Sequence, residues 1–202
     1  MPEAGRRIVL ASASPRRRDL LHQIGIACDV RPPHVDESLQ DGESAETYVR
    51  RLALDKARAT AGDGVLPVLG ADTAVILGGS ILGKPTGRRH ALEMLASLSG
   101  REHTVLTAVA LVKGGWHRVA LSSSRVSFRE TSREEREWYW STGECRDKAG
   151  AYGIQGLGAL FVRQMSGSFS GVAGLPLFET GRLLTEAGLA HWNAPGEPAA
   201  SA

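Results

Sequence analysis

The apolar run Ile8-Val9-Leu10-Ala11 passes without a spacer into Ser12-Ala13-Ser14-Pro15-Arg16-Arg17. The run reads as a strand from Arg6 to Ala11, and the pattern after it reads as a helix from Pro15 to Ile24, stopped by Gly25. A strand turning directly into a helix predicts an α/β architecture, with helices covering a sheet. The junction also suits an anion. Serine at a helix start caps free backbone N–H groups, and proline in the first turn has no N–H to lose. Open donors and the partial positive charge of a helix start favour a phosphate. Two arginines add planar forks that hold phosphate oxygens in pairs. The same letters also describe a well-capped surface helix with Arg16, Arg17 and Arg18 on a solvated face, so the rest of the chain has to decide.

The pattern continues with a short strand from Ile26 to Arg31 and a Pro-Pro loop carrying Asp36 and Glu37. Ser44 is an N-cap for a helix running to about Ala61. Leu66 to Leu77 reads as a strand closed by the turn Gly78-Gly79, with Ile81-Leu82 returning toward Gly83-Lys84-Pro85. A helix from Thr86 or Gly87 to Leu98 follows. Two long strands, His103–Val112 and His117–Phe128, are joined by Gly114-Gly115. Thr131 is the expected cap of a helix containing Trp138, Tyr139 and Trp140. Glycines crowd the segment from Gly143 to Gly158, Leu160–Gln164 reads as a strand, and Leu175–Glu186 as the last helix, ended by Gly188. Strand–helix units mixed with a long hairpin predict a mixed sheet, not a purely parallel one. Residues 1–192 form one expected domain, and the Pro-, Ala- and Gly-rich stretch 193–202 is expected to fray.

Composition narrows the function classes. A net charge of +2 argues against a nucleic-acid or membrane surface. No run approaches the roughly 18 apolar residues that span a bilayer. Two distant cysteines, Cys28 and Cys145, make neither a disulfide framework nor a zinc pattern, and they fit the cytoplasm.

Charges in apolar surroundings mark the candidate site. Asp72 stands inside Val68-Leu69-Gly70-Ala71-Asp72-Thr73-Ala74-Val75-Ile76. A carboxylate there needs a partner, whether a metal, a lysine or a set of donors, unless its strand is an edge facing water. In the helix after Ser44, Lys56 falls within the stripe of Tyr48, Val49, Leu52 and Ala53. It either snorkels past the helix edge or meets an anion. Lys84 is presented from a tight Gly-Pro turn. Gln155, in a glycine-rich loop, offers one donor face and one acceptor face to a nucleobase, or is an ordinary surface glutamine.

These segments together resemble the Maf-like nucleoside triphosphate pyrophosphatases. The resemblance runs from Ile8 to Glu186 through SASPRR, Asp36-Glu37, Lys56-Ala57, GADT, GKP, SGREHTVLTAV, DKAGAYGIQG and GSFSGVAGLP. It implies a long curved mixed sheet with flanking helices and two lobes around a cleft, as in Maf and ITPase folds. It implies hydrolysis of a nucleoside triphosphate between the α and β phosphates, with Mg²⁺ or Mn²⁺ required. Asp72 is then the proton acceptor for water, and Asp72 and Glu37 are the candidate metal ligands; because a bound metal pushes a carboxylate's pKa down, the division of Asp72 between base and ligand stays open. Lys56, Lys84 and Arg17 neutralise the phosphates, and Ser12 and Ser14 hold one of them. Arg16, Thr73 and Gln155 select the nucleotide and, by resemblance, point to the branch acting on dTTP and UTP. Two places depart from the family pattern: Cys145, where proline is common, and Phe169-Ser170-Gly171. The alternatives are the same reaction on 7-methyl-GTP or modified pyrimidine nucleotides, and a non-catalytic nucleotide-binding regulator of cell division. The oligomeric state is left open, with a homodimer among the options.

Overall fold

Alternation in the first strand supplies apolar residues to both faces of one sheet. In β1 (Arg7–Ala11), Ile8 and Leu10 share an apolar layer with Leu20 and Leu21 of α1 (Pro15–Gln23). Val9 and Ala11 share the opposite layer with Val49, Ala53 and Ala57 of α2 (Ala45–Thr60). The computed structural model describes residues 7–62 and 66–189, so the expected strand residue Arg6 and the stretch 193–202 lie outside the described residues.

β2 (Ala27–Val30) pairs with one edge of β1, and β3 (Val68–Leu77) with the other, both parallel. The chain thus leaves β1 through α1 to one side and returns through α2 to the other. The order reverses at β1, and in sheets of this kind ligands collect beyond the strand's C-terminal end at such a point. β4 (Ser80–Leu82) folds back on β3 through Gly78 and Gly79, whose φ values of 57° and 85° are those a tight hairpin turn demands. α3 (Arg88–Leu98) leads to the long hairpin β5 (Glu102–Lys113) and β6 (Trp116–Phe128), which extends the sheet antiparallel from β3. β7 (Val162–Ser166) closes the far edge, giving a seven-stranded mixed sheet in the order β2-β1-β3-β5-β6-β7 with β4 on β3. Among the described residues no helix is long and apolar enough to cross a membrane.

Local chemistry moves three expected boundaries. α4 (Arg133–Ser141) is capped by Ser132, not Thr131. Ser132 accepts from the Glu135 N–H and the Glu135 carboxylate accepts from the Ser132 N–H, a reciprocal box that Thr131 is one residue too early to make. The strand expected from Leu160 starts at Val162, because Leu157–Phe161 coils into a tight 3₁₀ turn. The segment after β7 forms α5 (Phe169–Val172), capped by Ser168. The last helix, α6 (Leu177–Glu186), then starts behind Pro176, two residues later than expected.

Candidate active site

Strand alternation sends neighbouring residues of β3 to opposite faces. Asp72 faces the α2 side, and Thr73 faces the α1 side. Two residues before Asp72, on the same face, Gly70 brings the helix close. A Cβ there would lie 2.2 Å from the Ala53 carbonyl oxygen and 2.7 Å from the Ala57 nitrogen. α2 therefore rests directly on the strand backbone, and Lys56 arrives above Asp72. Lys56 Nζ is 2.7 Å from Asp72 Oδ1, with the two residues only 8% and 7% exposed. Of the two readings of Lys56 from sequence, the inward lysine that meets an anion is the one observed.

The same ammonium reaches Glu37 Oε1 at 2.6 Å. Glu37 stands on a loop that α2 holds from below. Tyr48 donates its hydroxyl to the Glu37 carbonyl at 3.0 Å, and Arg51 donates to the Ser38 carbonyl at 3.0 Å while gripping Glu43. Lys84 Nζ lies 3.8 Å from Glu37 Oε2 and is mostly exposed. One ammonium thus bridges two carboxylates, and a second approaches from the open side. Their proton affinities diverge. Burial pushes the Asp72 carboxyl up, against the pull of Lys56 and Arg17. Burial also opposes the charge of Glu37, but Lys56, Lys84 and Arg17 outweigh it and hold that carboxyl below its ordinary range.

On the other face, Arg17 is committed to protein partners. Its Nε donates to the Gly174 carbonyl at 2.8 Å, Nη1 to Ser12 Oγ at 3.0 Å, and Nη2 to Thr73 Oγ1 at 3.4 Å. Arg17 clamps the β1–α1 turn to β3 and to the segment after α5, and leaves its charge facing the site. Thr73 Oγ1 is 3.0 Å from Thr107 Oγ1, and Thr107 donates to the Gly171 carbonyl at 2.8 Å. The departing stretch Phe169-Ser170-Gly171 is thereby two hydrogen bonds from Thr73. Ser14 occupies the N-cap of α1 with extended backbone, but its hydroxyl makes no capping bond, so the capping expected of it is absent. Instead Ser12 Oγ accepts from the Ser14 N–H at 3.2 Å, drawn inward by Arg17. The first turn of α1 keeps its donors open toward the cavity.

Ser12, Ser14, Arg16 and Arg17 line one open cavity of about 510 Å³ together with Glu37, Lys56, Asp72, Thr73, Lys84 and Gln155. All ten candidate residues meet there, and the volume lies in the range of small-molecule sites. Among the described residues, no three His, Cys, Asp or Glu side chains cluster to hold a metal.

Two contributors escape a sequence reading. Thr107 is one, although a polar residue within Val105-Leu106-Thr107-Ala108-Val109 is the same signal that marks Asp72. Glu144 is the other. It accepts the Tyr139 hydroxyl at 2.7 Å and the N–H groups of Leu157 and Gly158 at 2.8 and 3.1 Å, inside the glycine-rich segment. Its only trace in the sequence is the density of glycines that follow it.

Known proteins bear on the same residues. Residues 7–187 match the family described as Maf-like protein. A dTTP/UTP pyrophosphatase of Methylococcus capsulatus is 54% identical over 187 residues, covering 91% of this chain and 92% of that protein. One from Alkalilimnicola ehrlichii is 54% identical over 192 residues, covering 92% and 95%. One from Methylobacillus flagellatus is 53% identical over 189 residues, covering 91% and 94%. With its cleft residues, its β1–α1 turn and nearly its whole described length inside that match, the chain belongs to the Maf-like protein family.

Proposed function

We propose that this protein hydrolyses dTTP and UTP between the α and β phosphates, releasing the nucleoside monophosphate and pyrophosphate. One observation carries the reading: two carboxylates bridged by a buried ammonium stand beside further cations and the open first turn of α1, in a cavity of nucleotide size. The names of relatives at 53–54% identity supply the substrates.

The division of labour follows from the electrostatics. Of the two carboxylates, Asp72 has the higher proton affinity, so it is the better acceptor for the proton of an attacking water. Glu37 stays ionised. Lys56 orients both and places its charge beside the reacting phosphate. Lys84 and Arg16, free of buried partners, and Arg17 behind them offset the charge that grows on the departing pyrophosphate. Such positioned charges are the main source of rate in phosphoryl transfer. Ser12, Ser14 and the first-turn N–H groups of α1 hold a phosphate. Arg16, Thr73 and Gln155 select the base.

The carboxylates also fit a divalent cation. Lys56 takes Oδ1 of Asp72 and Oε1 of Glu37, which leaves Glu37 Oε2, with Lys84 3.8 Å away, to face a cation, and Asp72 Oδ2 to serve either the cation or the proton of the water. One or two carboxylates completed by substrate phosphates are the donor set Mg²⁺ or Mn²⁺ takes at nucleotide sites. Bound there, the cation neutralises charge on the triphosphate and polarises a phosphoryl oxygen. Cys28 and Cys145 are unpaired thiols, which suits action in the cytoplasm.

The test is pyrophosphate release by purified protein from dTTP, UTP, 7-methyl-GTP and GTP, with and without Mg²⁺ or Mn²⁺. Metal-dependent release favouring dTTP and UTP is expected. Preference for 7-methyl-GTP overturns the substrate choice, and tight dTTP binding without release overturns the enzyme reading.

A further inference from the structure

Gln155 is exposed at the cavity rim, directly after the buried side chains of Tyr152 and Ile154, which anchor the incoming half of its loop. The backbone of that loop is held from behind, by α4 and the turn that follows it. Glu144 Oε2 accepts from the Leu157 N–H, and Oε1 from both the Gly158 N–H and the Tyr139 hydroxyl. Tyr139, fully buried, accepts in turn from the Gly153 N–H at 3.0 Å. Three backbone donors flanking Gln155 thus end on one carboxylate and one phenol. The approach is close enough to dictate residue type. A Cβ on Gly156 would lie 2.3 Å from Glu144 Oε2, and one on Gly158 would lie 2.8 Å from the Tyr139 oxygen. Upstream, Ala151 is held at φ 57°, a left-handed conformation that a side chain adopts only where its surroundings enforce it.

We propose that Glu144, acting through Tyr139 and the loop backbone, is the positioning residue that sets Gln155 against the nucleobase and so carries part of the base discrimination. This rests on the pyrophosphatase reading above. The chemistry is specific to a carboxylate. Both oxygens accept, and neither donates. A glutamine in the same place turns an NH₂ toward either Leu157 N–H or Gly158 N–H, so one backbone donor always faces another donor. Burial works against the charge of Glu144, but the Leu157 and Gly158 N–H groups, Tyr139 and Lys148 hold its carboxyl below the ordinary range, so it is ionised at neutral pH.

The experiment compares Glu144→Gln and Tyr139→Phe with wild type, measuring kcat and KM for UTP and for GTP by pyrophosphate release. Leu111→Ala, a buried change in β5 away from the loop, is the control for lost stability alone. Glu144→Gln is expected to raise KM for UTP and lower the UTP:GTP ratio of kcat/KM by about tenfold, with kcat within about threefold, because the loop acts on binding remote from the reacting phosphorus. Tyr139→Phe shifts the ratio in the same direction and carries the test if Glu144→Gln does not fold. Leu111→Ala keeps the ratio. An unchanged ratio in both loop variants overturns the inference, as does a fall in kcat with the ratio kept. Failure of wild type to release pyrophosphate from UTP or dTTP overturns the underlying reading instead, so the two failures are distinct.

Discussion

An ammonium shared by two carboxylates gives each a different relation to pH. The Asp72 carboxyl is raised, so what it contributes to stability is present below the ordinary carboxylate pKa and is lost as pH rises through its own raised value. Ionised Asp72 is therefore a burden at neutral pH that the site keeps for chemistry. Asp72→Asn is expected to cut turnover more than about a hundredfold, as removal of a general base does. The same change is expected to leave the melting temperature at pH 7 unchanged or higher, since Lys56 retains Glu37. Steady-state rates and thermal unfolding on one preparation check both, and near-normal turnover excludes Asp72 as the base. Asp72 and Lys56 were legible in the sequence because each breaks an apolar pattern, and the cost of burying a lone charge says that they need partners. Glu37 breaks no pattern. It lies in a polar loop, and its place depends on Tyr48 and Arg51 reaching it from another element. Glu144 was invisible for the same reason, because its partners are backbone N–H groups, and every residue but proline has one.

Among the elements, the contact of α2 with β3 controls the site. Gly70 has no positive φ; it is glycine because the helix backbone occupies the space of a side chain. Gly70→Ala is expected to push α2 away and destabilise the fold by about 1–3 kcal/mol, the usual cost of overpacking. Turnover falls in the same variant, as Lys56 withdraws from Asp72. Denaturant midpoints and kcat measured together check this, and lost stability with an unaltered rate would detach the helix contact from the chemistry. Strands and helices were largely legible from periodicity and glycine stops. The misses fall where the chain follows neither period. The 3₁₀ turn at Leu157–Phe161 is held by Glu144 through contacts that no local window contains, and the four-residue α5 is capped locally by Ser168, which Ser124 of the distant β6 fixes in place. Ser132 displaced Thr131 because a cap is decided by the residue three positions on, here Glu135.

Across the whole molecule, acid stability is expected to depend on a residue of the hairpin. His103 of β5 is buried, with its ring edge-on to Phe128 and Tyr152 at centroid distances of 5.1 and 5.4 Å and its Nε2 2.9 Å from the Tyr152 hydroxyl. Burial lowers its pKa from 6.5 to about 4. A depressed pKa contributes stability that is full above the unfolded value and is lost as pH falls toward the folded one. Between pH 6.5 and about 4 the protein is expected to lose about 3 kcal/mol on this account. His103→Gln removes that slope. Melting curves over this range, taken as mutant minus wild type so that the carboxylates cancel, check it, and parallel slopes would refute it. The order reversal at β1, legible in outline from the alternation of strands and helices, explains why groups as distant as Ser12 and Gln155 share one opening. The contacts that cross this opening have a direction as well as a length. Thr107 has a single hydroxyl hydrogen and gives it to the Gly171 carbonyl, so Thr73 must give its own to Thr107. Thr73 then has only lone pairs left, one of them turned to Arg17. Any molecule that touches this oxygen has to bring the hydrogen itself.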